Sequence, residues 1–207
     1  MLQTITLAER TLVLLKQLQQ LPVLKDFRLV GGTALALQLG HRKSIDLDFF
    51  GNTSVSHEEI FNILQKNNFE VVSNKDTPHI HLFTINAVKV DVVVLSYQWL
   101  EPAIEEDGIR MAGLKDIAAM KLAAITNRGS KKDFVDVYFL LQHFSLKQMV
   151  DWYMQKYPKH ALFNVIQSIN YFADAEPQEM PTMLTEVSWE DMKSTIQKEV
   201  TIFQRMF

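Results

Sequence analysis

Apolar residues recur along this chain at helical spacing, then at strand spacing, then at helical spacing again, and the switches outline its elements. Leu7, Leu12, Leu15 and Leu18 follow Thr6-Leu-Ala-Glu9, a capping-box pattern, and Leu21-Pro22 ends the run, so an amphipathic first helix is expected. Residues 27–30 read as a short strand, Gly31-Gly32 as a turn, and Thr33 to Leu39 as a helix closed by Gly40. Residues 45–50 alternate as a strand, with Asp46 and Asp48 on one face and Ile45, Leu47 and Phe49 on the other. Ser56-His-Glu-Glu59 opens a second capping box, and Ile60, Ile63 and Leu64 face inward along a helix to about Lys66. Segments near 69–73, 79–85 and 88–95 are rich in strand formers, the last two separated in hairpin fashion by Asn86-Ala87. From Leu114 the pattern predicts helices over 114–127, 131–143, 146–156, 160–174 and 188–205, with Pro177 and Pro181 marking a loop. There is no repeat or low-complexity tract. The expected division lies between a mixed part, residues 1–110, and a helical part, residues 111–207.

Charge breaks these apolar patterns at a few places, and those places carry the candidate chemistry. Ionised carboxylates in an apolar strand are tolerated mainly when paired or bound to metal, and two on adjacent same-face positions suit Mg²⁺ or Mn²⁺. Val88 to Leu95 is nearly continuous β-branched residue, which predicts a strand buried on both faces, yet it carries Asp91 at its centre. Either Asp91 joins Asp46 and Asp48 around cations, as two-metal phosphoryl-transfer sites require, or it is a structural acid paired with Lys89 or Arg110 or sitting at a sheet edge. Gly31 and Gly32 would let backbone N–H groups approach a phosphate, with Thr33 capping the next helix; an ordinary tight turn is the alternative.

The helical part holds a second set. Lys121 shares a face with Leu114, Ile117, Ala118 and Ile125, so it must snorkel, pair or meet a ligand such as phosphate. Asp133 and Asp136 stand one turn apart on the following helix, opposite Phe134, Val137, Tyr138 and Leu141. Asp133 also suits the helix dipole in a first turn, which leaves Asp136 the stronger candidate to orient Lys121 or a nucleotide hydroxyl. Arg42, Lys43, Arg128, Lys131 and Lys132 are candidates to neutralise phosphates, the arginines foremost. His79 and His81 alternate on a predicted strand and read as surface or packing residues. The aromatics Trp152, Tyr153, Phe163, Tyr171 and Phe172 read as core or partner contact.

Composition narrows this picture only slightly. The 207 residues are 47% hydrophobic and 22% charged, ordinary for a globular chain able to bury a core. A net charge of −3 gives no global attraction to nucleic acid, so such binding would need a local basic patch. With no cysteine there are no disulfides or thiolate metal sites. No stretch approaches a spanning helix and the N-terminus lacks a secretion signal, so a cytoplasmic protein without membrane contact is expected.

The order of Gly31-Gly-Thr-Ala-Leu-Ala-Leu, Arg42-x-Ser44-x-Asp46-Leu-Asp48, Lys89-Val-Asp91, Met120-Lys121-Leu and Arg128-Gly-Ser-Lys-Lys-Asp133-Phe-Val-Asp136-Val-Tyr resembles the AbiEii/AbiGii (MenT-like) toxin family. That family lies within the nucleotidyltransferase superfamily with the DNA polymerase β-like fold. The resemblance covers roughly residues 27–142 and implies an α+β fold: a small mixed sheet flanked by helices, with a C-terminal helical bundle. It implies transfer of a nucleotide from an NTP, with Mg²⁺, to an acceptor; relatives modify the 3′ end of tRNA and are neutralised by a cognate antitoxin. Carried over, Gly31, Gly32, Thr33, Arg42, Ser44 and Arg128 would bind the nucleotide, and Asp46, Asp48 and Asp91 the metal. Asp46, Asp48, Lys121 and Asp136 would be the catalytic set. The competing functions are a small-molecule (antibiotic-type) nucleotidyltransferase and a nucleotide-binding module without catalysis.

Overall fold

The computed structural model describes residues 1–206. They form two compact units, Met1–Gln98 with Pro102–Ala112, and Trp99–Glu101 with the chain from Gly113 onward.

The first unit is built on one sheet. Its elements are α1 (Glu9–Gln19), β1 (Arg28–Leu29), α2 (Gly31–Leu39), β2 (Leu47–Gly51), α3 (His57–Lys66), β3 (Val71–Thr77), β4 (Ile80–Ile85), β5 (Val88–Val94), β6 (Ile104–Glu106) and β7 (Ile109–Met111). The strands run in the order β3-β4-β5-β2-β1-β7-β6. β2 is parallel to β5 and β1 to β7, while the other neighbours are antiparallel, so the sheet is mixed. Leu29, Leu35, Leu37, Leu47, Phe49, Phe83 and Val90 are fully buried and make the core of this unit.

Several sequence expectations change here. α1 begins after Ala8 without a side-chain cap, because Thr6 lies in a preceding 3₁₀ turn and its hydroxyl donates to the Gln3 carbonyl at 2.6 Å. Leu14, Leu15 and Leu18 are the buried leucines of that helix, and Leu12 is only half-buried. The second cap does form: the Ser56 side chain accepts from the Glu59 N–H at 3.1 Å. Gly31 and Gly32 are the first residues of α2, so the helix starts two residues earlier than the pattern suggests. β2 starts at Leu47, which leaves Ile45 73% exposed and Asp46 just ahead of the strand. β5 alternates instead of burying both faces: Val88, Val90 and Val92 are buried, while Lys89 is exposed and Asp91 half-buried. Asn86 and Ala87 both have positive φ, the geometry of a type I′ hairpin turn. The hairpin of β6 and β7 is an addition; its Asp107-Gly108 turn is a strong signal, but three-residue strands are too short to show a period.

The second unit is helical: α4 (Leu114–Asn127), α5 (Lys131–Leu141), α6 (Leu146–Lys156), α7 (Leu162–Ile169) and α8 (Trp189–Gln204). α4 packs against α5, α6 and α7, and α8 closes on the same three helices. The expected helix over 160–174 is shorter, because the chain turns repeatedly after Asn170. No helix among the described residues is long and apolar enough to cross a membrane.

Two buried charge networks hold this bundle. Lys156 and Asp116 are both fully buried and meet at 2.7 Å. The Asp116 carboxylate also accepts the N–H groups of Leu100 and Glu101, and the Lys156 ammonium lies 4.7 Å from the Trp99 ring centre. The pair therefore ties the short segment 99–101 to α4 and α6. In the other network Lys121 meets Asp133 at 3.0 Å and Asp136 at 2.5 Å. Asp133 further accepts from Arg128 at 2.8 and 3.0 Å and from the Ser130 hydroxyl at 2.5 Å. Burial would raise the Asp133 pKa, but the Lys121 charge and the Arg128 and Ser130 hydrogen bonds outweigh it and hold the carboxyl well below its usual range.

Replacing Lys156 by Met strands the Asp116 charge, and the expected cost is about 3–5 kcal/mol in urea unfolding. The Asp116→Asn/Lys156→Met double variant should recover much of that loss. For Asp133 the folded pKa lies below the ordinary 3.8, so its stabilisation is complete above that value and is lost as pH falls through the folded one. In melts taken from neutral pH downward, the gap between wild type and Asp133→Asn should stay constant to about pH 4 and narrow below it.

Candidate active site

The acidic set predicted from sequence lies in the first unit. β2 and β5 run side by side in a register that places Asp48 directly opposite Asp91. Parallel neighbours in register share a face, so the two carboxylates project from the same side of the sheet. Asp46 precedes Asp48 by two positions and completes the set.

Gly31 packs directly against Asp48. Its φ is +68°, which favours glycine, and a Cβ built on it would stand 2.7 Å from Asp48 Oδ2. The Val30 N–H donates to the Asp48 carbonyl at 2.8 Å, which locks the start of α2 to β2. Val30 caps the helix with its backbone, so Gly31, Gly32 and Thr33 present the N–H groups that an α-helix leaves without intrahelical acceptors. These groups and the positive end of the helix dipole favour an anion.

Thr33 does not cap α2 with its side chain. Its hydroxyl is buried and bonds the Ser44 hydroxyl at 2.7 Å and the backbone carbonyl of Asp46. Ser44 is also held through its N–H to the Thr6 carbonyl at 2.9 Å. Thr33 and Ser44 thus fix the loop that delivers Asp46. Arg42, 4% exposed, stiffens the same loop by donating to the Lys43 carbonyl at 2.9 Å.

The two sequence readings of Asp91 are both visible in its carboxylate. Oδ2 accepts from Lys89 Nζ at 2.8 Å, whereas Oδ1 is buried without a hydrogen-bond partner. Arg110 is engaged elsewhere, with Glu105 and the carbonyls of Leu24 and Phe27. Burial would lower the Lys89 pKa, but the Asp91 hydrogen bond and the charges of Asp91, Asp48 and Asp46 raise it above its usual value. Lys89 therefore senses all three acids. A bare carboxylate oxygen within a three-carboxylate cluster is what a hard divalent cation requires, so the donor set fits one.

The downstream candidates belong to the second unit. Lys121, 4% exposed, pairs with Asp133 and Asp136 as described, and Arg128 reaches the same Asp133 although its own side chain is 58% exposed. Sequence reasoning ranked Asp136 above Asp133, but Asp133 is the hub, joining Lys121, Arg128 and Ser130. Its spacing to Arg128 and Ser130 was the available signal. Lys131 is buried and donates to the Glu176 carbonyl at 3.0 Å, so its ammonium is engaged within the bundle. A cavity of about 770 Å³ in this unit is lined by Arg128, Phe163, Gln167, Tyr171 and Gln204 among others, and Lys121 is not part of its lining. His81 is a packing residue in that it is buried, but it also joins His57 and Asp76 in a polar cluster.

Comparison with known proteins gives this geometry its context. An uncharacterised protein of Aquifex aeolicus is 34% identical over 194 residues, covering 90% of this chain and 92% of that protein. MenT4, a nucleotidyltransferase toxin from Mycobacterium tuberculosis, shares the fold with a TM-score of 0.61 at 17% identity, over 90% of this chain and 79% of that one. JHP933 from Helicobacter pylori matches with a TM-score of 0.58 at 17% identity, over 97% and 94% of the two chains. The α+β architecture is thus that of the nucleotidyltransferases. The family model described as nucleotidyl transferase AbiEii toxin, type IV TA system, matches residues 13–206, and the chain belongs to this nucleotidyltransferase family.

Proposed function

We propose that this nucleotidyltransferase uses a divalent metal, Mg²⁺ or Mn²⁺, to transfer NMP from an NTP to an RNA acceptor, the 3′ end of tRNA. It would act as the toxin of a type IV toxin–antitoxin system, neutralised by a cognate antitoxin and working in the cytoplasm. The observation that carries the chemistry is the Asp48–Asp91 pairing across β2 and β5, with Gly31 against Asp48 and one Asp91 oxygen left bare. The family match and the likeness to MenT4 support the toxin reading.

Asp46, Asp48 and Asp91 would hold the metal, which when bound supplies charge stabilisation for an in-line displacement at the α-phosphate. The N–H groups of Gly31, Gly32 and Thr33 bind the anionic phosphates at the start of α2. Ser44 and Arg42 position the loop that carries Asp46. Lys121 and Asp136 would be the downstream catalytic pair, with Asp136 orienting the Lys121 ammonium at 2.5 Å. Arg128, whose side chain is 58% exposed while its guanidinium bonds Asp133, would contribute a further cation for phosphate or RNA backbone. The division of labour assigns nucleotide and metal binding to residues 1–110 and the downstream catalytic motifs to residues 111–207.

Incubation with each labelled NTP, Mg²⁺ and total tRNA should move label onto RNA. Asp48→Asn should lower that transfer at least about a hundredfold while leaving the melting temperature near wild type. Transfer to a small molecule alone, or NTP binding without transfer, would overturn the proposal. Gly31→Ala forces a methyl onto Asp48, so the Mg²⁺ concentration giving half-maximal activity should rise as the rate falls; an unchanged Mg²⁺ dependence would remove Gly31 from the site.

A further inference from the structure

We infer that His57, Asp76 and His81 form a second metal site, for Zn²⁺ or a similar imidazole-preferring divalent ion, on the sheet face opposite the carboxylates. Asp76 and His81 are direct cross-strand partners next to the turn joining β3 and β4. His81 also pairs with Val92, one position on from the Leu82–Asp91 pair, so its side chain projects from the other face than Asp91 does. His57 is the first residue of α3, and its ring is stacked on Phe83 at 4.5 Å between centroids, which fixes its orientation. One ligand atom from each of the three residues lies within 4.8 Å of the others.

Hydrogen bonding decides what these atoms need. His81 Nε2 lies 3.1 Å from the Val55 carbonyl, which only accepts, so that nitrogen carries the hydrogen. In the neutral ring Nδ1 is then a bare lone pair, yet it faces Asp76 Oδ1 at 2.9 Å. His57 Nδ1 is buried without a hydrogen-bond partner, 3.7 Å from the same Asp76 oxygen, while its Nε2 lies 2.7 Å from the Ser73 hydroxyl, which can donate to it or accept from it. A single cation between the three atoms satisfies all of them.

The chemistry of the donors selects the ion. Two imidazoles and one carboxylate without thiolate suit Zn²⁺ and its neighbours, whereas Mg²⁺ prefers oxygen alone. Tetrahedral Zn²⁺ ligands stand about 3.3 Å apart, near the 2.9 and 3.7 Å that separate the Asp76 oxygen from the two imidazole nitrogens. Each imidazole has its second nitrogen tied to an oxygen, the outer arrangement that holds a metal-binding histidine in place. Asp76 is 56% exposed and opens the site to solvent through a pocket of about 430 Å³, which provides an entry path. Bound there, the ion fastens the start of α3 to the β3–β4 hairpin.

The test is Zn²⁺ binding by the metal-stripped full-length chain, followed by calorimetry and by melting temperature. Asp48→Asn, which disables the acidic site, should retain one equivalent of bound Zn²⁺ that a thousandfold excess of Mg²⁺ does not displace, and should melt higher when Zn²⁺ is added. His57→Gln and Asp76→Asn should each lose that equivalent and the shift. Asp76→Asn changes an exposed side chain, so it reports even if His57→Gln folds poorly. Absence of the equivalent from Asp48→Asn, or its persistence in Asp76→Asn, would overturn the site.

Discussion

The first unit depends on one close approach, that of the Gly31 backbone to the Asp48 carboxylate. A Cβ at position 31 would sit 2.7 Å from Asp48 Oδ2 at a φ of +68°, so any side chain there must displace the acid on β2 and strain the turn out of β1. The same contact sets the reach of the site. The N–H groups that open α2 and the Asp48 carboxylate are brought side by side. The buried hydroxyl of Thr33 extends this constraint along the chain by fixing Ser44 and the Asp46 carbonyl.

The second unit solves a different problem, that of keeping charges inside a helical bundle. Lys156 with Asp116, and Lys121 with Asp133 and Asp136, are buried with ionic partners at hydrogen-bond distance. Removing one member of such a pair costs more than its formation contributes, so these networks specify one arrangement more than they stabilise it. In the Lys156 network the specified feature is the position of segment 99–101. In the Lys121 network it is an ammonium whose direction is fixed by two carboxylates.

Much of this was legible in the sequence, and the failures have physical causes. The Gly31-to-Asp48 run, the Asn86-Ala87 hairpin and four of the five C-terminal helices follow from turn chemistry and periodicity. Thr6 misled because a capping box is a local pattern, and the competing 3₁₀ turn took its hydroxyl first. Val88 to Leu95 misled because β-branched residues mark a strand well but say less about which faces are covered. Asp133 suits a helix start by residue type, and its spacing to Arg128 and Ser130 only hints at the hub that Lys121 completes in the fold. The His57–Asp76–His81 cluster was hidden because His57 and His81 are separated by 24 positions and meet only through the fold.

Lys89 shows why structural and functional readings of a residue need not exclude each other. The sequence offers Asp91 two uses, a salt-bridge partner and a metal ligand. The carboxylate divides between them, with Oδ2 on the Lys89 ammonium and Oδ1 bare. Three acids at one place repel each other, and a neighbouring ammonium offsets part of that repulsion before any cation arrives. A lysine beside the acids thus lowers the cost of holding them together without occupying Asp91 Oδ1. The raised Lys89 pKa is the signature of this arrangement, because all three carboxylates contribute to it.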